Sequence, residues 1–342
     1  MTKPELARGY IEHIRYQNGI FFITGWMFLP SRPLDAISIK IDNVQYGKVN
    51  PHERKDVQDV FPFISTALMS GFEFNFSVAE DILRDWVDID IVGIYNGNKV
   101  AKLSTIYRLD FNASLPEPPA SLMRRVANTD NAVFYWSGAV KSYGEFMKPI
   151  RQYCNIGTVN NLLDWGCGCG RVTSLFLKYS TIPEIYGCDI DEEAVLWCKA
   201  NLKQGYFSVI KPYPPTHYSE SVFDVIVGHS VFTHLTRDVQ ISWLKEVKRI
   251  LSPRGFFFAS VHGDFASLFS GPSVIEEIRQ NGISDSQMDP ILDGIAPTGY
   301  YRAVLQSKTY TLREFGKYFK IIDYIERGMD NFQDLVVMQK IE

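Results

Sequence analysis

The stretch LLDWGCGCGR, Leu162 to Arg171, places an acid, Asp164, just before three glycines that alternate at positions 166, 168 and 170. Glycine tolerates positive φ and lets a bulky ligand approach the backbone, so this spacing reads as the tight turn after a strand, against which a ligand rests. The pattern is G-x-G-x-G, whereas a dinucleotide fingerprint requires G-x-G-x-x-G. Asp189 ends the next apolar run, Ile185-Tyr186-Gly187-Cys188-Asp189, where a carboxylate can accept hydrogen bonds from both hydroxyls of a ribose. The competing use is a helix cap, and Asp191 stands just before the following apolar run for that purpose. His229 and His262 fall at the carboxyl ends of expected strands, where ligands of open α/β sheets lie, and His234 follows in a helical segment. The cysteines are Cys154, Cys167, Cys169, Cys188 and Cys198, an odd number confined to one part of the chain, which fits reduced thiols. Cys167 and Cys169 have no second ligand pair at zinc-site spacing, so no metal is expected.

The elements that must hold these residues alternate in type. Strands are expected at Val159–Asp164, Glu184–Cys188, Val222–Gly228, Gly255–Val261 and Leu335–Gln339, with helices at Asn131–Tyr153, Asp191–Leu202 and Asp238–Leu251. Alternating strands and helices imply a mostly parallel sheet covered on both faces, an α/β unit. The first third differs. Ile11–Tyr16 and Ile20–Phe28 flank the turn pair Asn18-Gly19; Ile37, Ile39 and Ile41, then Phe72, Phe74 and Phe76, then Val87, Ile89 and Ile91 alternate with polar neighbours, and Asn96-Gly97 marks a second turn. Short alternating strands without long helices suggest a small all-β sandwich. The proline-rich segment Asn112 to Ser121 is the natural linker. The expected division is therefore 1–112, a linker at 113–121, and 122–342.

Asp164 with Gly166, Gly168 and Gly170 resembles the first motif of class I S-adenosylmethionine-dependent methyltransferases. Asp189 matches the acid that binds the ribose in that family. Ser219–Leu235 (SESVFDVIVGHSVFTHL) resembles its fourth-strand region and Leu251–His262 (LSPRGFFFASVH) its fifth, so the resemblance spans roughly Asn131 to Lys340. It implies a Rossmann-like sheet and S-adenosyl-L-methionine as methyl donor, without a metal. Asp164, Gly166, Cys167, Gly168, Gly170, Arg171, Asp189, Ile190, His229 and Ser230 are the implied cofactor contacts. Phe134-Tyr135-Trp136-Ser137-Gly138 resembles the segment that closes over the methionine end and adds Trp136 and Gly138, although an aromatic core face explains Phe134 and Tyr135 equally well. Many relatives carry an acid near the adenine where this chain has Lys211 to Thr216, which leaves Tyr213 or backbone for that contact.

Methyl transfer from a sulfonium is an in-line displacement with a neutral thioether leaving, so alignment and exclusion of water are the main tasks. An oxygen nucleophile must also lose its proton. His262 is the leading base, His229 and His234 the alternatives, and a site without a histidine base stays open. Tyr300, Tyr301 and Arg302 fall in an irregular segment, about His262 to Thr311, expected to bind the acceptor as a lid. Competing readings are a nicotinamide-dependent oxidoreductase, disfavoured by the glycine spacing, and a cofactor-binding protein without turnover.

The chain has 342 residues, enough for one medium core and one small one, and a net charge of -4 with no basic stripe, which argues against nucleic acid. No apolar run reaches the ~20 residues a membrane span needs, and the charged start of the chain is unlike a secretory signal, so a cytoplasmic protein is expected. Glu53–Val57, Phe61-Pro62 and Ser70–Phe72 loosely resemble a β-sandwich module found with glycosyltransferases and methyltransferases of surface-polysaccharide assembly, which implies a sugar hydroxyl as acceptor. A purely structural or dimerising role, giving a homo-oligomer, reads equally well. Trp26, Trp86 and Tyr95 are candidates for a sugar platform, against the commoner role of strand aromatics as core.

Overall fold

The computed structural model describes residues 7–78, 86–108 and 115–341. Residues 112–114 of the expected linker and the side chain of Trp86 lie outside what is described. The chain divides into two compact units, Met1–Ala113 and Ser114–Glu342.

The first unit contains β1 (Arg8–Gln17), β2 (Ile20–Phe28), β3 (Ala36–Ile41), β4 (Val44–Val49), β5 (His52–Glu53), α1 (Lys55–Val60), β6 (Met69–Ser77), β7 (Trp86–Tyr95) and β8 (Asn98–Arg108). These form two four-stranded antiparallel sheets, β1-β2-β6-β5 and β4-β3-β7-β8. Period-two alternation drives the arrangement: Ile37, Ile39 and Ile41 bury on one sheet, and Phe72 and Phe74 on the other. Ring contacts link the sheets, with Phe21 against Tyr107 at 6.2 Å and Tyr46 against Phe76 at 5.3 Å. Positive φ at Asn18 (51°) and Gly19 (77°), and at Asn96 (48°) and Gly97 (72°), closes the two hairpins whose turns the sequence marked. Trp26 is core, stacked on Phe28 at 5.8 Å, and so presents no platform to a sugar.

The second unit opens with α2 (Ala120–Ala127) and α3 (Ala132–Tyr153), then runs β9 (Asn161–Trp165), α4 (Thr173–Tyr179), β10 (Glu184–Asp189), α5 (Glu192–Asn201), β11 (Tyr206–Val209), β12 (Phe223–Gly228), α6 (Arg237–Ile250) and β13 (Leu251–Val261). It ends with α7 (Asp264–Ser267), α8 (Pro272–Asn281), β14 (Ile283–Met288), β15 (Arg302–Gln306), α9 (Lys308–Phe315), β16 (Phe319–Met329) and β17 (Gln333–Lys340). Seven strands pair in the order β11-β10-β9-β12-β13-β17-β16. The first five are parallel; β17 is antiparallel to both of its neighbours. Leu162 and Leu163 in β9, Val225 to Val227 in β12 and Phe257 to Ala259 in β13 are all buried, the continuous apolar runs expected of strands covered on both faces. Trp165 anchors the core against Phe232 (5.2 Å) and Trp243 (5.1 Å). Chain order reverses between β9 and β12, leaving a crevice at their carboxyl ends where such sheets bind ligands.

The segment after His262 is not irregular. Pro272 starts α8, Gly282 ends it at φ 80°, and β14 pairs with β15. The run Ser-Asp-Ser-Gln at 284–287, with a register shift across it, hides strand alternation from a reading of the sequence. Among the described residues, no helix is long and apolar enough to cross a membrane.

Candidate active site

Asp164 is buried near the end of β9, and its Oδ2 accepts the Thr173 hydroxyl at 2.6 Å, tying the strand to the first turn of α4. Burial pushes its carboxyl up to about 6, and the Thr173 hydrogen bond works against that. The loop that follows holds Gly166, Gly168 and Gly170 at φ +78°, +53° and +73°. A Cβ at Gly166 would come within 2.4 Å of Val231, and one at Gly168 within 2.6 Å of Val126, so both backbone conformation and close approach require glycine. The Asp189 carboxylate fastens this loop, with Oδ2 accepting Gly168 N–H at 2.7 Å and Oδ1 accepting Asp191 N–H at 2.9 Å. Burial raises its pKa, while the backbone donors pull it back. A carboxylate has about four acceptor sites, so capacity remains for a ligand hydroxyl. Asp191 is the helix cap: it accepts Ala194 N–H at 3.2 Å and, on its other oxygen, Arg125 Nη1 at 2.6 Å.

Above this loop, at the carboxyl ends of β9, β10 and β12, lies a cavity of about 540 Å³. Asp164, Gly166, Cys167, Gly168, Arg171, Asp189, Ile190, His229, Ser230, His234, Tyr300 and Tyr301 all line it. Sequence reading named every one of these. It also named Gly170, Trp136, Gly138, His262 and Arg302, which are not among the lining residues. Gly170 turns toward α5, where a Cβ would meet Leu202 at 2.5 Å. Trp136 is packed edge-on against Tyr135 at 5.0 Å. Arg302 donates through Nε to Gly299 O and through Nη1 to Ser286 O, holding the approach to β15 rather than facing the cavity. Tyr213 does not line the cavity either; it sits edge-on to Tyr300 at 5.2 Å.

The three histidines differ. His262 Nδ1 lies 3.2 Å from Val304 O and its ring packs edge-on against Phe332 at 5.6 Å, so its position at the end of β13 does not bring it to the cavity. His229 Nδ1 lies 3.1 Å from Arg171 Nη2, and burial lowers its pKa. His234 Nδ1 lies 2.9 Å from Arg302 O and 3.6 Å from Asp289 Oδ2, and its ring stacks on Tyr301 at 4.0 Å. A carbonyl only accepts, so Nδ1 carries the proton and Nε2 keeps its lone pair. Burial pushes the His234 imidazole down to about 4, which leaves it neutral near pH 7.

Several lining residues escaped the sequence reading. Arg124 to Asn128, at the end of α2, cover the glycine loop, and Arg125 also pairs with Glu193. Asp289, Ile291 and Leu292 come from the segment between β14 and β15. Trp243 lines the floor, its Nε1 donating to Pro212 O at 3.1 Å, and the Tyr300 hydroxyl donates to the same carbonyl. Asp289-Pro290 carried a usable signal, an acid that caps a short helical turn by accepting Ile291 N–H at 3.1 Å.

The cavity wall combines a hydrogen-bond acceptor in Asp189, apolar side chains in Ile190 and Ile210, and a cation in Arg171. Residues 163–257 match the family model of a methyltransferase domain. Among solved structures, a SAM-dependent methyltransferase of Methanosarcina mazei is 18% identical, covering 56% of this chain and 97% of its own, with a TM-score of 0.41. An S-adenosylmethionine-dependent methyltransferase of Mesorhizobium loti is 15% identical, covering 57% and 98%, with a TM-score of 0.42. The N-methyltransferase NodS of Bradyrhizobium japonicum, in complex with S-adenosyl-L-homocysteine, is 14% identical, covering 66% and 98%, with a TM-score of 0.41. Residues 163–257 are thus similar to a methyltransferase domain, within a seven-stranded sheet of the typical class I methyltransferase fold that is preceded by a β-rich N-terminal region.

Proposed function

We propose that the enzyme methylates a hydroxyl on a small acceptor, with His234 as the base. S-Adenosylmethionine, when bound, supplies an electrophilic methyl on a sulfonium and leaves as a neutral thioether that needs no acid. The glycine loop and Asp189 hold the nucleoside, and Val231, Ile291 and Leu292 keep water from the rest of the cavity. His234 carries the proposal. Its Nδ1 proton is fixed on Arg302 O, Tyr301 holds the ring plane, and Nε2 is left to accept the acceptor's proton. Asp289 Oδ2, 3.6 Å from Nδ1, compensates the imidazolium that forms.

Sugar hydroxyls are the first acceptors to test, following the resemblance of the first unit to modules of polysaccharide assembly. The assay is transfer of labelled methyl from S-adenosylmethionine, preceded by calorimetric titration with S-adenosylhomocysteine and NAD as control. On the acceptor so found, His234→Ala should slow transfer by ~10²–10⁴-fold with unchanged S-adenosylhomocysteine affinity. An unaltered rate removes His234 as the base, and a preference for NAD overturns the cofactor.

A further inference from the structure

Large apolar side chains stand in the open at the mouth of the cavity, and proton removal by His234 does not use them. Met288 is 53% exposed, Tyr213 51% and Ile291 40%. Apolar residues scattered singly over a surface are ordinary, but these three border one opening. Met288 ends β14 and pairs with Arg302. A Cβ on Gly299 would lie 3.8 Å from Met288 Cε, so the thioether arm rests against that glycine. Tyr300, the next residue, lines the cavity and holds the Tyr213 ring edge-on at 5.2 Å. Ile291 belongs to both surfaces: it lines the cavity and is open to solvent.

The backbone beneath this rim is fixed. Pro212 O accepts both Trp243 Nε1, at 3.1 Å, and the Tyr300 hydroxyl, which pins the chain beside Tyr213. Tyr213 stands between Pro212 and Pro214, and a residue before proline has a narrowed choice of conformation. Arg302 donates to Gly299 O and to Ser286 O, each at 2.8 Å, and so closes the turn that carries Met288. Asp289 accepts Ile291 N–H at 3.1 Å and sets the helical turn at 290–292. A ligand that covers the rim therefore has no backbone to order, which favours binding.

Whatever covers the rim must be continuous with what fills the cavity, because Tyr300 and Ile291 are shared by both. A small polar acceptor alone would leave the rim in water. Asp289 and Asp293 flank Ile291 in the chain, which sets the rim against an anionic lipid surface. We propose that Met288, Ile291 and Tyr213 receive an apolar arm of the acceptor, so that the substrate class is amphiphilic: a hydroxyl-bearing head enters toward His234, and an alkyl or aryl arm lies across the rim. This rests on the proposed methyl transfer to a hydroxyl at His234. Each methylene removed from water strengthens binding by up to about fourfold, so selection by arm length is the signature of such a surface.

The test is equilibrium titration of the full chain, saturated with S-adenosylhomocysteine, with two pairs of probes: methyl and hexyl glucoside, and ethanediol and 1,2-hexanediol. Within each pair the head is constant and only the arm lengthens. The longer member should bind about 10- to 100-fold tighter. Met288→Gln keeps the side chain's length but makes it polar, and should cut that preference about 3- to 10-fold while leaving the short member and S-adenosylhomocysteine within about twofold. Tyr213→Gln should do the same. The nucleoside titration reports whether each variant keeps a folded cavity. No gain from the longer arm in either pair, or a gain that both variants leave intact, overturns the rim. Methyl transfer to a short hydroxyl acceptor without any effect of arm length overturns the rim alone and leaves the His234 reading standing. A gain in the diols but not in the glucosides supports the rim and removes the sugar as its head. Weakened S-adenosylhomocysteine in Tyr213→Gln would move that ring to the nucleoside site and overturn its part. Sedimentation covers the other occupant: a dimer that the wild type forms and Met288→Gln does not would make the rim a contact between copies and overturn the acceptor arm.

Discussion

Asp289 stands 3.6 Å from His234 Nδ1 and counters burial, which drives the imidazole toward its neutral form. The direction of the pH dependence follows. His234 must be unprotonated to accept a proton, and its pKa is lowered from 6.5 to about 4, so turnover should rise through an acid limb near pH 4 and be flat where an unperturbed histidine would still titrate. Asp289→Asn removes a carboxylate that raises this pKa, so the limb should move lower still. The variant should also be slower on the plateau, by about tenfold, because the imidazolium formed during transfer loses its nearest anion. A pH profile of kcat/KM for the two proteins measures both effects. An acid limb that stays in place in the variant would separate Asp289 from the base.

At the scale of elements, α2 matters most among those the sequence did not reveal. It covers the glycine loop, and Arg125 binds it to Asp191, the residue that caps α5. The Arg125 and Asp191 side chains are only 17% and 8% exposed, so the pair is sheltered from solvent screening. Arg125→Met should therefore cost on the order of 1–2 kcal/mol in S-adenosylhomocysteine binding and speed amide exchange over residues 120–127; unchanged exchange would show that α2 is held by packing alone. The glycine loop and Asp189 were legible because strand, turn and acid are adjacent in sequence and their geometry is local. Arg125 and Asp289 were not, because each reaches the cavity wall through packing between elements distant in the chain. His262 shows the limit of reading position without direction: the end of β13 was located, but the imidazole turns to β15 and Phe332. β16 was missed because two register shifts against β17 break its alternation.

For the whole molecule, the sheet order determines where chemistry takes place. β9 lies between β10 and β12, and the chain passes outward to β11 before returning, so the crevice opens over the glycine loop. Helices and the β14–β15 segment then enclose it from residues that all fall between Arg124 and Tyr301. Each of these belongs to the second unit, Ser114–Glu342. Among the described residues, every side chain that lines the cavity comes from the second unit. A chain beginning at Ser114 should bind S-adenosylhomocysteine within about twofold of the full protein by calorimetry. A loss of tenfold or more would mean that the first unit shapes the cavity. Unchanged affinity with lost methyl transfer to a sugar acceptor would instead assign the first unit to acceptor capture.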